Sequence, residues 1–145
     1  ACFGRGYGST GKVRLADAEV VLLTMGTAAS TALEVVEDLR KQGKKVGLCR
    51  LRMFRPFPGE EVARVLSRAK KVAVLDRDNS LGAGGIVAQE LKAALFGAAK
   101  RPEIFEYIAG LGGRDITPED IAEIFRHTIN RSGPDRTPVW MGIRK

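Results

Sequence analysis

The chain holds one histidine, His127, and two cysteines, Cys2 and Cys49, in 145 residues. A single histidine excludes any two-histidine metal site built from this chain alone. The two cysteines lie too far apart in sequence to form a CxxC pair, do not make a disulfide framework, and cannot ligate a four-cysteine iron–sulfur cluster. Such sparing use of cysteine fits a reducing, cytoplasmic setting. Aromatic residues make up only 6% of the chain, too few for a basic stripe interleaved with exposed rings. The formal charge of +7 is scattered, with local density at Arg40-Lys41-Lys44-Lys45 and Arg50-Arg52-Arg55, and reads as solvated face or contact surface. No apolar run approaches the ~20 residues of a membrane span. Neither nucleic acid nor membrane is therefore expected as a partner. No secretory leader pattern is visible, and the opening Ala1-Cys2-Phe3 without methionine is that expected of a processed chain or a fragment.

What is present has an ordinary globular balance, 44% hydrophobic and 28% charged. A domain of this length buries roughly 68% of its unfolded surface, enough for a core without staples. The apolar pattern changes period repeatedly and in order. Ala18 to Gly26 is a short continuous apolar run closed by glycine, as a buried parallel strand should be. Ala32, Val35, Val36 and Leu39 follow at helical spacing, and Gly43 stops that helix. A second strand is predicted over Lys45 to Met53, ended by Pro56 and Pro58, and a helix opened by Glu60-Glu61 carries Val62, Val65 and Leu66. Lys71 to Asp76 is a third strand, followed by a glycine-rich loop and a helix from Ile86 to about Phe96. Ile104 to Ala109 is a fourth, and Thr117-Pro118-Glu119-Asp120 starts the last helix, with threonine as cap and proline at the first position. Four strands alternating with four helices predict a three-layer α/β/α sandwich on a mainly parallel sheet. Residues 1–16 fall outside that alternation as a connecting arm, in which Val13-Arg14-Leu15 suits a short edge strand. The α/β domain is expected over 17–130, and 131–145 reads as a tail anchored by Trp140.

In open α/β sheets ligands bind beyond the carboxyl ends of the strands, so the loops there carry the candidate sites. Ser80-Leu81-Gly82-Ala83-Gly84-Gly85 joins a strand to a helix and suits either a phosphate cradle or a tight turn that lets the helix pack closely. It is not the dinucleotide fingerprint, because Val87 stands where the third glycine belongs. Arg50 and Arg52 alternate on one strand face and Arg55 follows. Three cations together call for anionic company, supplied by Asp76, Asp78 or Asp115, by an anionic ligand, or by a neighbouring domain. Gly110 to Asp115 places Arg114 and Asp115 near a helix start, where an internal turn network is expected. Asp76 and Asp78 flank Arg77 and, if extended, point to opposite faces, a weak acid/base pair. His127, beside Arg126 on the polar side of the last helix, is expected to be solvated. No GxSxG elbow occurs, and no serine has a histidine near it in sequence.

Four stretches occur together in register: Ala18 to Thr27; Leu51-Arg52-Met53-Phe54-Arg55-Pro56-Phe57-Pro58; Val74-Leu75-Asp76-Arg77 with Ser80 to Gly85; and Ala109-Gly110-Leu111-Gly112-Gly113-Arg114-Asp115-Ile116-Thr117. Together they resemble the C-terminal part of the alpha subunit in the pyruvate (2-oxoacid):ferredoxin oxidoreductases, from about Gly4 to Ile129. The arm Gly4-Arg5-Gly6-Tyr7-Gly8 resembles the connector leaving a preceding thiamine-binding domain. The resemblance implies a transketolase C-terminal-domain-like fold whose five-stranded sheet includes one antiparallel strand. It also implies an enzyme using thiamine diphosphate, magnesium and iron–sulfur clusters, joining a 2-oxo acid to coenzyme A and passing electrons to ferredoxin. The family's cofactor-binding residues belong to other domains or subunits, so no cofactor is expected on this chain alone. Its implied work is assembly, and the isolated chain is expected to be inert. A nucleotide- or CoA-binding module using Gly82 to Gly85 is the alternative. Candidate contact residues on either reading are Arg50, Arg52, Arg55, Asp76, Arg77, Ser80, Gly82, Gly84, Gly85, Arg114 and Asp115.

Overall fold

A computed structural model describes residues 6–143. Cys2 and the start of the arm, Gly4-Arg5, lie outside the described residues. The elements run β1 Thr10–Val13, β2 Val20–Met25, α1 Thr27–Lys41, β3 Val46–Leu51, α2 Gly59–Leu66, β4 Lys71–Asp76, α3 Ile86–Ala94, β5 Glu103–Ile108, α4 Pro118–Asn130 and β6 Val139–Trp140. They build one six-stranded sheet in the order β1-β3-β2-β4-β5-β6. Only β1 is antiparallel; every other pairing is parallel.

Helices cover both faces of the sheet, which is why the central strands read as unbroken apolar runs. On one face Leu22, Leu48, Ala73, Leu75, Phe105 and Tyr107 pack against α1 and α4 through Val36, Ile121, Ile124 and Phe125. On the other, Val21, Leu23, Cys49, Val72 and Val74 meet α2 and α3 through Val62, Leu66, Val87 and Leu91. The start of α4 is fixed locally. Asp120 N–H donates to Thr117 Oγ1 at 3.2 Å, and Thr117 N–H donates back to Asp120 Oδ2 at 2.9 Å. This reciprocal capping box satisfies two donors, and Pro118 occupies a position whose N–H would have no partner. At the far end, Lys71 Nζ donates to the carbonyls of Thr128 at 3.0 Å and Ile129 at 3.2 Å, neutralising the helix's negative end.

Four local expectations are corrected. The edge strand is Thr10–Val13, not Val13-Arg14-Leu15, because Arg14 adopts a left-handed φ of 54° that ends the ladder. Its guanidinium is held by Glu37 of α1 in two parallel bonds of 3.0 and 2.9 Å. The sheet has six strands, not five, because the tail returns: β6 pairs with the end of β5, and Met141 N–H donates to Ile108 O at 2.9 Å. Trp140 is 44% exposed and does not anchor that tail; Val139 and Met141 pack on the core instead. His127 is not solvated. Its Nδ1 lies 2.8 Å from the buried Tyr107 hydroxyl, with the two rings edge to face. Thr128 Oγ1 donates to Ile124 O and lies 2.7 Å from the same hydroxyl, completing a polar chain under α4.

The turn between β1 and β2 crosses β3 at Gly47. A Cβ there would lie 2.8 Å from Leu15 Cδ2 and 2.9 Å from Arg14 O. Gly47→Ala is therefore expected to destabilise the domain by ~1–3 kcal/mol through overpacking, read as a lower urea midpoint at unchanged m-value.

Candidate functional site

The strand order reverses direction at β2 and β4. From β2 the chain moves outward to β3, then crosses back so that β4 and β5 extend the other side. At that switch point the connections diverge and leave a crevice beyond the strand ends. Here it is a cavity of about 350 Å³, lined by Thr24, Met25, Gly26, Thr27, Phe54, Leu75, Asp76, Arg77, Asp78 and Ile86. Phe54, Leu75 and Ile86 make it apolar at depth. Thr24 contributes no free polar group, since its hydroxyl donates to Leu75 O at 2.9 Å.

One wall is the start of α3, closed by two carboxylates. Asp76 is 4% exposed and accepts from Val87 N–H at 3.0 Å and Ala88 N–H at 3.1 Å. Asp78 Oδ1 accepts from Ile86 N–H at 3.2 Å. The donors that would hold a phosphate are thus taken by the chain's own acids. Burial pushes the Asp76 carboxyl up to about 6 despite those two N–H bonds, and Asp78 and Glu106 add like charge nearby. Gly85 makes the arrangement possible, because a Cβ there would stand 2.1 Å from Asp76 Oδ2. The start of α1 on the opposite wall has no side-chain cap and no acid in its first turn.

The site residues read from sequence fall into three groups. Asp76 and Arg77 line the crevice, while the loop Ser80 to Gly85 lies outside its lining and does not form a phosphate cradle. Ser80 N–H donates to Gly84 O at 2.8 Å, while Ala83 and Gly84 N–H donate back to Ser80 O, and Gly82 and Gly84 supply the positive φ that closes this turn. Asp76 and Asp78 serve the same helix start and are not an acid/base pair on opposite faces.

The arginines find partners other than those expected. Arg55 pairs with Glu90 of α3 at 2.8 Å and lies 4.0 Å above the Phe54 ring, not against Asp76, Asp78 or Asp115. Arg52 donates to the carbonyl of Tyr7 in the arm. Arg50 has no carboxylate partner among the described residues. Arg77 reaches Thr27 Oγ1 at 3.3 Å and the carbonyls of Gly110 and Arg114 at 3.4 Å. Arg114 donates to Gly142 O at 2.6 Å, tying the returning tail, in place of a turn network with Asp115. Met25, Thr27, Phe54, Ile86 and Glu90 were missed in the sequence reading, since each takes its role from an element distant in the chain.

Among the described residues the crevice holds no nucleophile with a base beside it, and no three His, Cys, Asp or Glu side chains converge as metal ligands. Cys49 is buried in the core, and burial pushes its thiol up to about 12. The arrangement can seat an apolar group beside Arg77.

A family model, pyruvate:ferredoxin oxidoreductase core domain II, matches residues 18–121. The chain is 44% identical over 143 residues to pyruvate synthase subunit PorA of Methanothermobacter thermautotrophicus, covering 99% of this chain and 36% of that protein. It is 43% identical over 147 residues to ketoisovalerate oxidoreductase subunit VorA of Pyrococcus abyssi, covering 99% and 37%. Among solved structures, 2-oxoglutarate:ferredoxin oxidoreductase from Magnetococcus marinus superposes with a TM-score of 0.64 at 21% identity, covering 86% of this chain and 20% of that one. A split-gene transketolase gives 0.66 at 12% identity, covering 87% and 43%. These two share the fold. The chain spans little more than a third of the length of the curated relatives it matches.

The raised Asp76 carboxyl has a signed consequence for stability. Its folded value of about 6 lies above the ordinary 3.8, so the fold favours the protonated form. That contribution is complete below pH ~4 and is lost as pH rises through about 6, a swing of ~3 kcal/mol. Asp76→Asn keeps an acceptor for the helix but cannot ionise. Relative to wild type, this variant is expected to gain ~3 kcal/mol between pH 4 and 7 in urea unfolding. A difference between the two that stays flat with pH would refute the assignment.

Proposed function

The chain belongs to the pyruvate:ferredoxin oxidoreductase core domain II family, and from that premise we propose that it is a non-catalytic, assembly-forming domain of the alpha subunit of a 2-oxoacid:ferredoxin oxidoreductase. One observation carries the reading. Nearly the whole chain aligns with about a third of PorA-type subunits, while its own switch-point crevice lacks paired catalytic groups. The complete enzyme would oxidatively decarboxylate pyruvate or a related 2-oxo acid to the acyl-CoA, releasing carbon dioxide and passing electrons to ferredoxin. Its partners are then the remaining domains and subunits, with coenzyme A and ferredoxin engaged by the complex as a whole. Its proposed compartment is the cytoplasm, and no helix among the described residues is long and apolar enough to cross a membrane.

Thiamine diphosphate, magnesium and iron–sulfur clusters belong to that activity, but among the described residues neither thiolates nor carboxylates converge to hold a metal ion or cluster. A pyrophosphate needs open helix-start donors or a cation; the start of α3 is filled by Asp76 and Asp78, leaving the uncapped start of α1 open. A cluster needs converging thiolates, and Cys49 sits alone in the core. No catalytic step is assigned here. The same capping argues against the nucleotide- or CoA-binding alternative at Gly82 to Gly85.

The isolated chain, given pyruvate, coenzyme A and oxidised ferredoxin, is expected to show no turnover above a blank, with or without thiamine diphosphate. Calorimetric titration with coenzyme A is expected to show no binding. Turnover in a preparation free of other subunits would overturn the division of labour, and saturable CoA binding abolished by Gly84→Asp would restore the alternative.

A further inference from the structure

Exposed large apolar side chains are unevenly distributed over the domain. Met25, Met53, Leu81, Leu111, Trp140 and Ile143 all lie where the parallel strands end. Leu81 stands out at 93% exposure. It sits at the tip of a turn closed by three hydrogen bonds between Ser80, Ala83 and Gly84, and Gln89 Nε2 braces that turn by donating to Gly84 O at 3.2 Å. The stem on either side is pinned to α3 by Asp76 and Asp78. A leucine held rigidly in water gains nothing for the isolated domain, while a pre-ordered apolar knob loses little entropy when it is buried. The glycines that resembled a phosphate loop instead shape a support for that side chain.

The surroundings define the partner's chemistry. Arg50, Arg52, Arg77 and Arg114 share this edge, and none has a carboxylate partner among the described residues; their assigned donors go to carbonyls and a hydroxyl. The turn that carries Leu81 is itself flanked by acids, Asp76, Asp78 and Glu106, so what it offers a partner is the apolar side chain and not a cationic rim. The occupant must therefore offer an apolar pocket. About two-thirds of each matched relative lies beyond the region this chain covers, and that remainder has to meet this domain somewhere.

We infer that Leu81 is the anchor by which the carboxyl edge of the sheet docks onto the remainder of the alpha subunit, entering an apolar pocket. The inference rests on the assembly reading above and names the surface that carries it. Phe96, 84% exposed at the opposite end of α3, is the matched control.

The test introduces single cysteines, Leu81→Cys and Phe96→Cys, into both the isolated chain and the complete enzyme, and follows maleimide labelling by peptide mass. Cys49 is buried and serves as an unreactive internal reference. Position 81 is expected to label fast in the isolated chain and at least ~10-fold more slowly in the complete enzyme, with position 96 equally fast in both. Equal labelling of position 81 in the two contexts overturns the anchor, as does equal protection of 81 and 96. If 81 labels freely while Met25→Cys and Trp140→Cys are protected, the anchor falls and the assembly reading stands. If all three label as in the isolated chain, both fall.

Discussion

A buried carboxylate on the first turn of α3 governs the carboxyl edge of this domain. Asp76 ends β4 and turns inward, so its two oxygens meet the N–H groups of Val87 and Ala88. Those donors would otherwise be buried without partners, a cost of about 1–3 kcal/mol each. The contact requires Gly85, because any Cβ there would overlap the carboxylate. It also draws the nine residues between β4 and α3 into a narrow loop, which Asp78 secures from its stem. The wall of the crevice, the closure of the helix start to foreign anions, and the rigid display of Leu81 all follow from that placement.

The second organising feature is how arginine is used. Beside those that pair with carboxylates, Arg40, Arg52, Arg77 and Arg114 tie separate segments together through carbonyl oxygens. Arg40 of α1 bonds Arg14 O at 2.6 Å, Val46 O at 2.5 Å and Asp17 Oδ2 at 2.8 Å, so one side chain fastens the β1–β2 turn and the start of β3. Arg77 spans the β2–α1 and β5–α4 connections, and Arg114 holds the returning tail. A planar fork of five donors suits this role in a way that lysine does not.

The crevice at the switch point is the position where many α/β domains bind a ligand, yet here its helix start is filled from within and its floor is apolar. Such a site is better suited to receiving protein than phosphate. Thiolates do not converge among the described residues, whereas the exposed leucine, methionines and tryptophan are gathered at one edge.

The order of strands and helices was legible in the sequence because it depends on local periodicity. Runs such as Val20 to Leu23 and Val72 to Leu75 are apolar on every residue only when helices cover both sheet faces, and the Thr117–Asp120 capping box closes within three residues. The family was legible for the same reason, since its four stretches are contiguous words in the chain. Tertiary structure decided everything that depends on which strand ends meet. Arg55 selects Glu90 and not Asp76 because Asp76 is consumed by α3, and that follows only once β4 and α3 are packed. Arg14 leaves the edge strand because Glu37 and Gly47 receive it from α1 and β3. Two-residue β6 carries no periodic signal and forms only because the end of β5 offers an open ladder. Long polar side chains reach several ångströms past their own element, so their partners are set by the folded neighbourhood, while apolar periodicity is set by the chain's own geometry.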